Sequence, residues 1–122
     1  MKVYQNIKVW EKSHKLTLEV YSATKRFPTE ERFGLTSQLR RGAASIPANI
    51  AEGCGRNGQA ELARFLDISM GSANEVEYHL LLARDLGYLE ATKWSELTER
   101  TVEIKRMLAS FLKTLRTAAW SG

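Results

Sequence analysis

Four stretches of this chain place apolar or small residues at steps of three or four, and a sequence that does so four times has few folds open to it. The first, 9–27, carries Val9, Ser13, Leu16, Val20, Ala23 and Phe27, widened by Trp10 and Tyr21. The second, 35–53, carries Leu35, Leu39, Ala43, Ile46 and Ile50. The third, 58–86, repeats Leu62, Leu66, Ser69, Ala73, Val76, Leu80 and Ala83, with Phe65, Ser72, His79, Leu82 and Leu86 on an adjoining stripe. The fourth, 93–118, runs Trp94, Leu97, Thr101, Ile104, Leu108, Phe111 and Leu115. Steps of three and four return to one side of an α-helix, so each stretch predicts an amphipathic helix. No stretch alternates as a half-buried strand would. The expected fold is all-α: an antiparallel up-and-down four-helix bundle in one domain, 1–122. Its expected core includes Leu16, Val20, Leu39, Ile46, Ile50, Leu66, Val76, Leu80, Ile104, Leu108 and Phe111.

Turn signals separate the helices. Pro28 is expected to end the first, Thr29-Glu30-Glu31 places acids at a helix start, and Gly34 breaks or bends the chain before the second. Pro47 should kink the second helix. Asn57 or Gly58 is expected to cap the third, Gly87 to stop it, and Thr92 to cap the fourth. The segment Gly53-Cys54-Gly55-Arg56-Asn57-Gly58 matches the dinucleotide pattern Gly-x-Gly-x-x-Gly, with Glu75 about 20 residues on. A true fingerprint follows a buried strand, whereas the residues before Gly53 have a helical period, so the segment is read as a turn between helices.

The second helix holds the unusual composition. A polar stripe of Gln38, Arg41, Ser45, Asn49 and Glu52 lies beside the apolar one, and Gly42, Ala43, Ala44, Ala48 and Ala51 let another backbone approach closely. Ser-Ile-Pro-Ala-Asn-Ile-Ala-Glu-Gly at 45–53, preceded by Phe27-Pro28 and by Glu31-Arg32-Phe33-Gly34-Leu35-Thr36-Ser37-Gln38, resembles a bacterial four-helix bundle family. Its founding members are encoded in intervening sequences of large-subunit ribosomal RNA genes. The likeness continues through Arg64-Phe65-Leu66, Gly71-Ser72, Glu75 and Leu86-Gly87-Tyr88. Cys54 and Gly58 stand where serines are expected, and Met70 where a more polar residue is common. The resemblance implies an up-and-down bundle assembled into a homopentamer. It also implies kinship with the accessory proteins of diversity-generating retroelements, basic pentamers that engage nucleic acid and a reverse transcriptase.

Several function classes recede. No stretch approaches the roughly 20 apolar residues that cross a bilayer, so no membrane association is expected. The single cysteine and the lack of an amino-terminal apolar run suggest the cytoplasm. His14 and His79 have no second ligand at metal-site spacing, so no metal or other cofactor is expected. Cys54 beside Arg56 has no evident base. Glu52, Glu61, Glu75 and Glu77 resemble part of a carboxylate-bundle metal site, but the Glu-x-x-His pairing is missing. The expectation is not an enzyme.

Charge points elsewhere. The net charge is +4, and residues 1–56 hold ten basic and five acidic side chains against eight and nine in 57–122. Arg40 and Arg41 on the second helix, and Arg56 in the glycine-rich turn, are candidate phosphate contacts for RNA or DNA, with little sequence selectivity because no base-reading module is present. The plainer alternative pairs Arg40 or Arg41 with an acid such as Glu52 of a neighbouring helix or subunit. Lys8, Lys12 and Lys15 read as a solvated face. Gly42, Ser45, Asn49, Gly71 and Ser72 are the candidate oligomer contacts. A protein-protein adaptor without nucleic-acid binding is the competing reading.

Overall fold

The computed structural model describes residues 4–117. After a 3-10 turn at Tyr4–Asn6 come α1 (Lys8–Thr24), a second 3-10 turn at Thr29–Glu31, α2 (Leu35–Cys54), α3 (Gln59–Asp85) and α4 (Ala91–Leu115). Each helix packs on its neighbour in sequence and α1 closes on α4, while among the described residues neither diagonal pair touches. That is the expected all-α, up-and-down order, with α2 and α3 sharing the most extensive face. The expected end of the fourth helix at residue 118 lies outside the described residues.

Helix ends follow local chemistry more closely than the apolar spacing does. The helix expected to reach residue 27 stops at Thr24, because Pro28 pushes Phe27 out of the helical region and the last turn tightens to Lys25 N–H donating to Ser22 (3.3 Å) and Phe27 N–H to Thr24 (3.1 Å). Phe27 nonetheless stays buried, its ring 5.5 Å from that of Tyr88. Gly58, at φ +90°, precedes α3. Past the end of α3, Gly87 at φ +82° lets its own N–H reach the Arg84 carbonyl and the Tyr88 N–H reach that of Ala83, each at 2.9 Å. These two bonds satisfy carbonyls that the helix end leaves open. Thr92 does not cap α4; Glu90 occupies that position without a side-chain bond.

Ten of the eleven expected core residues are buried, from Leu16 to Leu108. Phe111 is the correction: it packs against the core half-buried, and Leu112 takes the inward position. A straight helix has 3.6 residues per turn, so a strict seven-residue seam rotates off the core within a few turns, and the inward step becomes 108 to 112. Tyr21 is a second correction. It does not widen the α1 seam but lies 43% exposed on the outer side.

Buried hydroxyls set the helices against one another around Pro47. Pro47 has no N–H, so α2 itself supplies no donor four residues along to the Ala43 carbonyl. Thr17 Oγ1 of α1 lies 3.0 Å from that oxygen and 2.9 Å from the Ser13 carbonyl of its own helix. From the other flank Ser69 of α3 donates to the Ile46 carbonyl at 2.9 Å. Gly53 brings α2 onto α3: a Cβ there would stand 2.9 Å from both Leu62 Cδ1 and Phe65 Cβ.

Candidate functional site

Of the three arginines picked out for phosphate contact, two are engaged within the chain. Arg40 reaches back across the connection to α1, where its Nε donates to Thr24 Oγ1 (2.8 Å), its Nη2 to the Tyr21 carbonyl (3.3 Å), and its guanidinium lies 4.8 Å from the centre of the Tyr21 ring. A cation is well placed there, since the carbonyls ending α1 carry the negative end of the helix dipole. Arg56 pairs with Glu52 four residues earlier (Nε to Oε2 3.0 Å, Nη2 to Oε2 2.9 Å) and lies over Phe65 at 5.1 Å. Within the chain Glu52 is therefore the partner of Arg56. Arg41 is exposed and makes no ion pair or hydrogen bond among the described residues.

Phe65 is enclosed by charge. Arg64 covers its ring at 4.5 Å and pairs with Glu61 at 3.0 Å, so two guanidiniums, each with its own carboxylate, close over one ring at the α2–α3 corner. The hydrogen bond from Arg64, then the charges of Arg64 and Arg56, hold the Glu61 carboxyl below the usual carboxylate range. The same pairing raises Arg64.

Of the five residues expected at a subunit contact, Gly42, Ser45 and Ser72 meet across the α2–α3 seam of a single chain, with Asn49 bonded to Ser45. Ser45 and Ser72 hydroxyls are 2.8 Å apart, and Asn49 Nδ2 donates to the Ser45 carbonyl (2.9 Å) and hydroxyl (3.0 Å). A Cβ at Gly42 would meet Val76 Cγ2 at 3.1 Å. Gly71 alone of the five is exposed with open space around it.

The histidines and the cysteine have structural surroundings. His14 stacks on Trp10 at 5.1 Å, His79 leans on Tyr78, and Cys54 is buried in the core. Among the described residues no three His, Cys, Asp or Glu side chains are grouped to hold a metal ion, and no helix is long and apolar enough to cross a membrane.

The charge excess of the amino-terminal half has a definite location. Its acids are largely engaged: Glu11 with Lys15, Glu19 with Arg100, Glu52 with Arg56, while Glu31 accepts from the Leu35 N–H and the Tyr88 hydroxyl, each at 3.0 Å. Lys12 pairs with Glu103 on α4. That leaves Lys8, Lys25, Arg26, Arg32 and Arg41, like Arg40, without acidic partners among the described residues, with Glu30 the one unengaged acid in the half. Lys25, Arg26 and Arg32 lie in the ten-residue connection from α1 to α2. In the same connection Phe33 is 88% exposed, with Arg32 over its ring at 5.3 Å. Periodicity pointed to none of these residues. The available signal was an aromatic off every seam, between an arginine and a glycine.

A second surface lies between α3 and α4, an open groove of about 300 Å³ lined by Asn74, Glu77, Tyr78, Leu81, Trp94 and Thr98. Trp94 Nε1 and Thr98 Oγ1 are shielded from solvent there without hydrogen-bond partners.

The model of the family described as 23S rRNA-intervening sequence protein matches residues 5–110. Among solved structures the chain is similar to a protein of unknown function from the S23 ribosomal protein family of Bacteroides thetaiotaomicron, at 28% identity and a TM-score of 0.82. The match covers 92% of this chain and 100% of that one. No curated protein matches the sequence.

Proposed function

We propose a non-enzymatic, nucleic-acid-binding role for this chain, which belongs to the 23S rRNA-intervening sequence protein family. The observation that carries the reading is the set of cations without acidic partners on the α1–α2 side, Lys25, Arg26, Arg32 and Arg41 above all. Cations already neutralised by a neighbouring carboxylate release few counterions from a phosphate backbone, whereas unpaired ones do so fully. Arg41 is thus the strongest of the three arginines first considered. Arg40 contributes through a charge that only neutral acceptors touch, and Arg56 least. Because the binding groups are cations and rings with no base-edge module, the contact is mainly to phosphates and weakly sequence-selective.

The chain acts in this reading as a homo-oligomer. Exposed apolar side chains lie on two diagonal helices, Leu18 on α1 and Ile68 and Tyr78 on α3. Two unlike patches suit a head-to-tail contact, which forms a ring when the rotation between subunits closes. The number five rests on the resemblance described above. A ring multiplies each subunit's cations around one axis and so strengthens a weak patch.

Binding of mixed-sequence RNA and DNA, followed by anisotropy across salt, tests the reading. Affinity should fall steeply with salt, and a Lys25→Gln, Arg26→Gln, Arg32→Gln, Arg41→Gln variant should show both lower affinity and a shallower slope. A parent protein without binding at about 50 mM salt defeats it. The adaptor reading would then stand on the open α3–α4 groove lined by Tyr78, Leu81 and Trp94.

A further inference from the structure

Phe33 has no role in holding the fold. The start of α2 is secured by Glu31, whose carboxylate accepts the Leu35 N–H, and Phe33 lies outside the core at 88% exposure, the most exposed large apolar side chain described. Arg32 lies over its ring, and Lys25 and Arg26 stand earlier in the same connection. A second ring–guanidinium pair, Tyr21 beneath Arg40, stands where that connection leaves α1. Two exposed rings and two guanidinium planes therefore flank one short segment, together with cations free of acid partners.

We propose that this end of the bundle binds single-stranded nucleic acid, an unpaired base stacking on Phe33 while Lys25, Arg26 and Arg32 hold the adjoining phosphates. The inference deepens the phosphate-binding reading above and rests on it. Every base has a π-face, so an exposed ring accepts any unpaired base, while a duplex keeps its bases stacked on each other and offers the ring nothing. Phosphate contacts alone do not distinguish the two. Phe33 does, and it adds no sequence preference. Glu30, the unengaged acid of the connection, leaves the local balance positive.

The test uses the full-length protein and the anisotropy of a labelled mixed-sequence RNA strand, its DNA equivalent, and the RNA annealed to its complement, at matched salt. Phe33→Ala should weaken binding of both single strands by about five- to a hundredfold, leaving duplex affinity, salt slope, melting temperature and oligomer mass unchanged. Phe33→Tyr should restore the single-strand affinity. An equal loss on the duplex, or no loss on either strand while the parent binds both, overturns the stacking role alone. A changed oligomer mass for Phe33→Ala also overturns it and assigns the ring to a subunit contact. A parent that binds no strand overturns the phosphate reading and this inference with it.

Discussion

Replacing Thr17 by Val tests the account of how a proline is tolerated in the middle of α2. The substitution keeps shape and removes the one hydroxyl that α1 offers to the Ala43 carbonyl at 3.0 Å. The Ser13 carbonyl, also near that hydroxyl, keeps its ordinary helical bond, so the loss falls on Ala43, whose helical donor Pro47 has deleted. Leaving a buried acceptor without a partner costs about 1–3 kcal/mol. For a 122-residue chain the unfolding entropy of about 2.1 cal/mol/K per residue converts this to a fall in Tm of about 4–12 °C. The decisive assay is a double-mutant cycle by urea unfolding. Pro47→Ala restores an N–H to the Ala43 carbonyl, and in that background Thr17→Val should lose most of its cost. If Thr17→Val costs the same with and without Pro47, to within about 0.5 kcal/mol, the hydroxyl is not answering the proline and the reasoning fails.

Ile50→Ala, at a fully buried position, should cost about 2–5 kcal/mol in denaturant unfolding. Two glycines separate close packing from open surface: Gly53→Ala should destabilise by about 1–3 kcal/mol through its clash with Leu62 and Phe65, while Gly71→Ala should stabilise the fold by about 0.5–1 kcal/mol. Loss of assembly by folded Gly71→Ala, seen in light scattering, would place Gly71 at a subunit contact. The hydrogen bond that Tyr88 donates to Glu31 raises the phenol above its ordinary value. Its stabilisation is therefore fully present below about pH 10, the unfolded value, and is lost as pH climbs through the higher folded one. Tyr88→Phe should abolish that alkaline loss in urea midpoints measured against pH.

The fold was legible because burial has a period and the four seams have little else to do. Leu39, Ile46 and Ile50 could be placed on one face by counting alone. Where the count failed, it failed at ends: residue 108 to 112 on α4, where helical drift outran the heptad, and Thr24 to Phe27, where Pro28 stopped the helix early. The site was less legible, because an arginine's partner depends on which helix end it meets. Arg40 and Arg41 are adjacent in sequence and equal in charge, yet one reaches the closing carbonyls of α1 and the other faces solvent. Small Gly42 and Ser72 beside polar Ser45 and Asn49 make a pattern that serves a seam within one chain as readily as a contact between chains.

Glu31 uses its two oxygens on different parts of the molecule: one holds the first amide of α2, the other the hydroxyl of Tyr88 in the connection between α3 and α4. Two loops far apart in sequence thus share a single latch, reinforced by the ring of Phe27 against that of Tyr88. In native-state hydrogen exchange the amides of Leu35 and of Gly87 and Tyr88 should therefore open as one cooperative unit, with the same free energy and the same response to denaturant. A strand seated on Phe33 would restrain that shared opening, so protection should rise at Gly87 and Tyr88, more than fifty residues along the chain from the ring it covers.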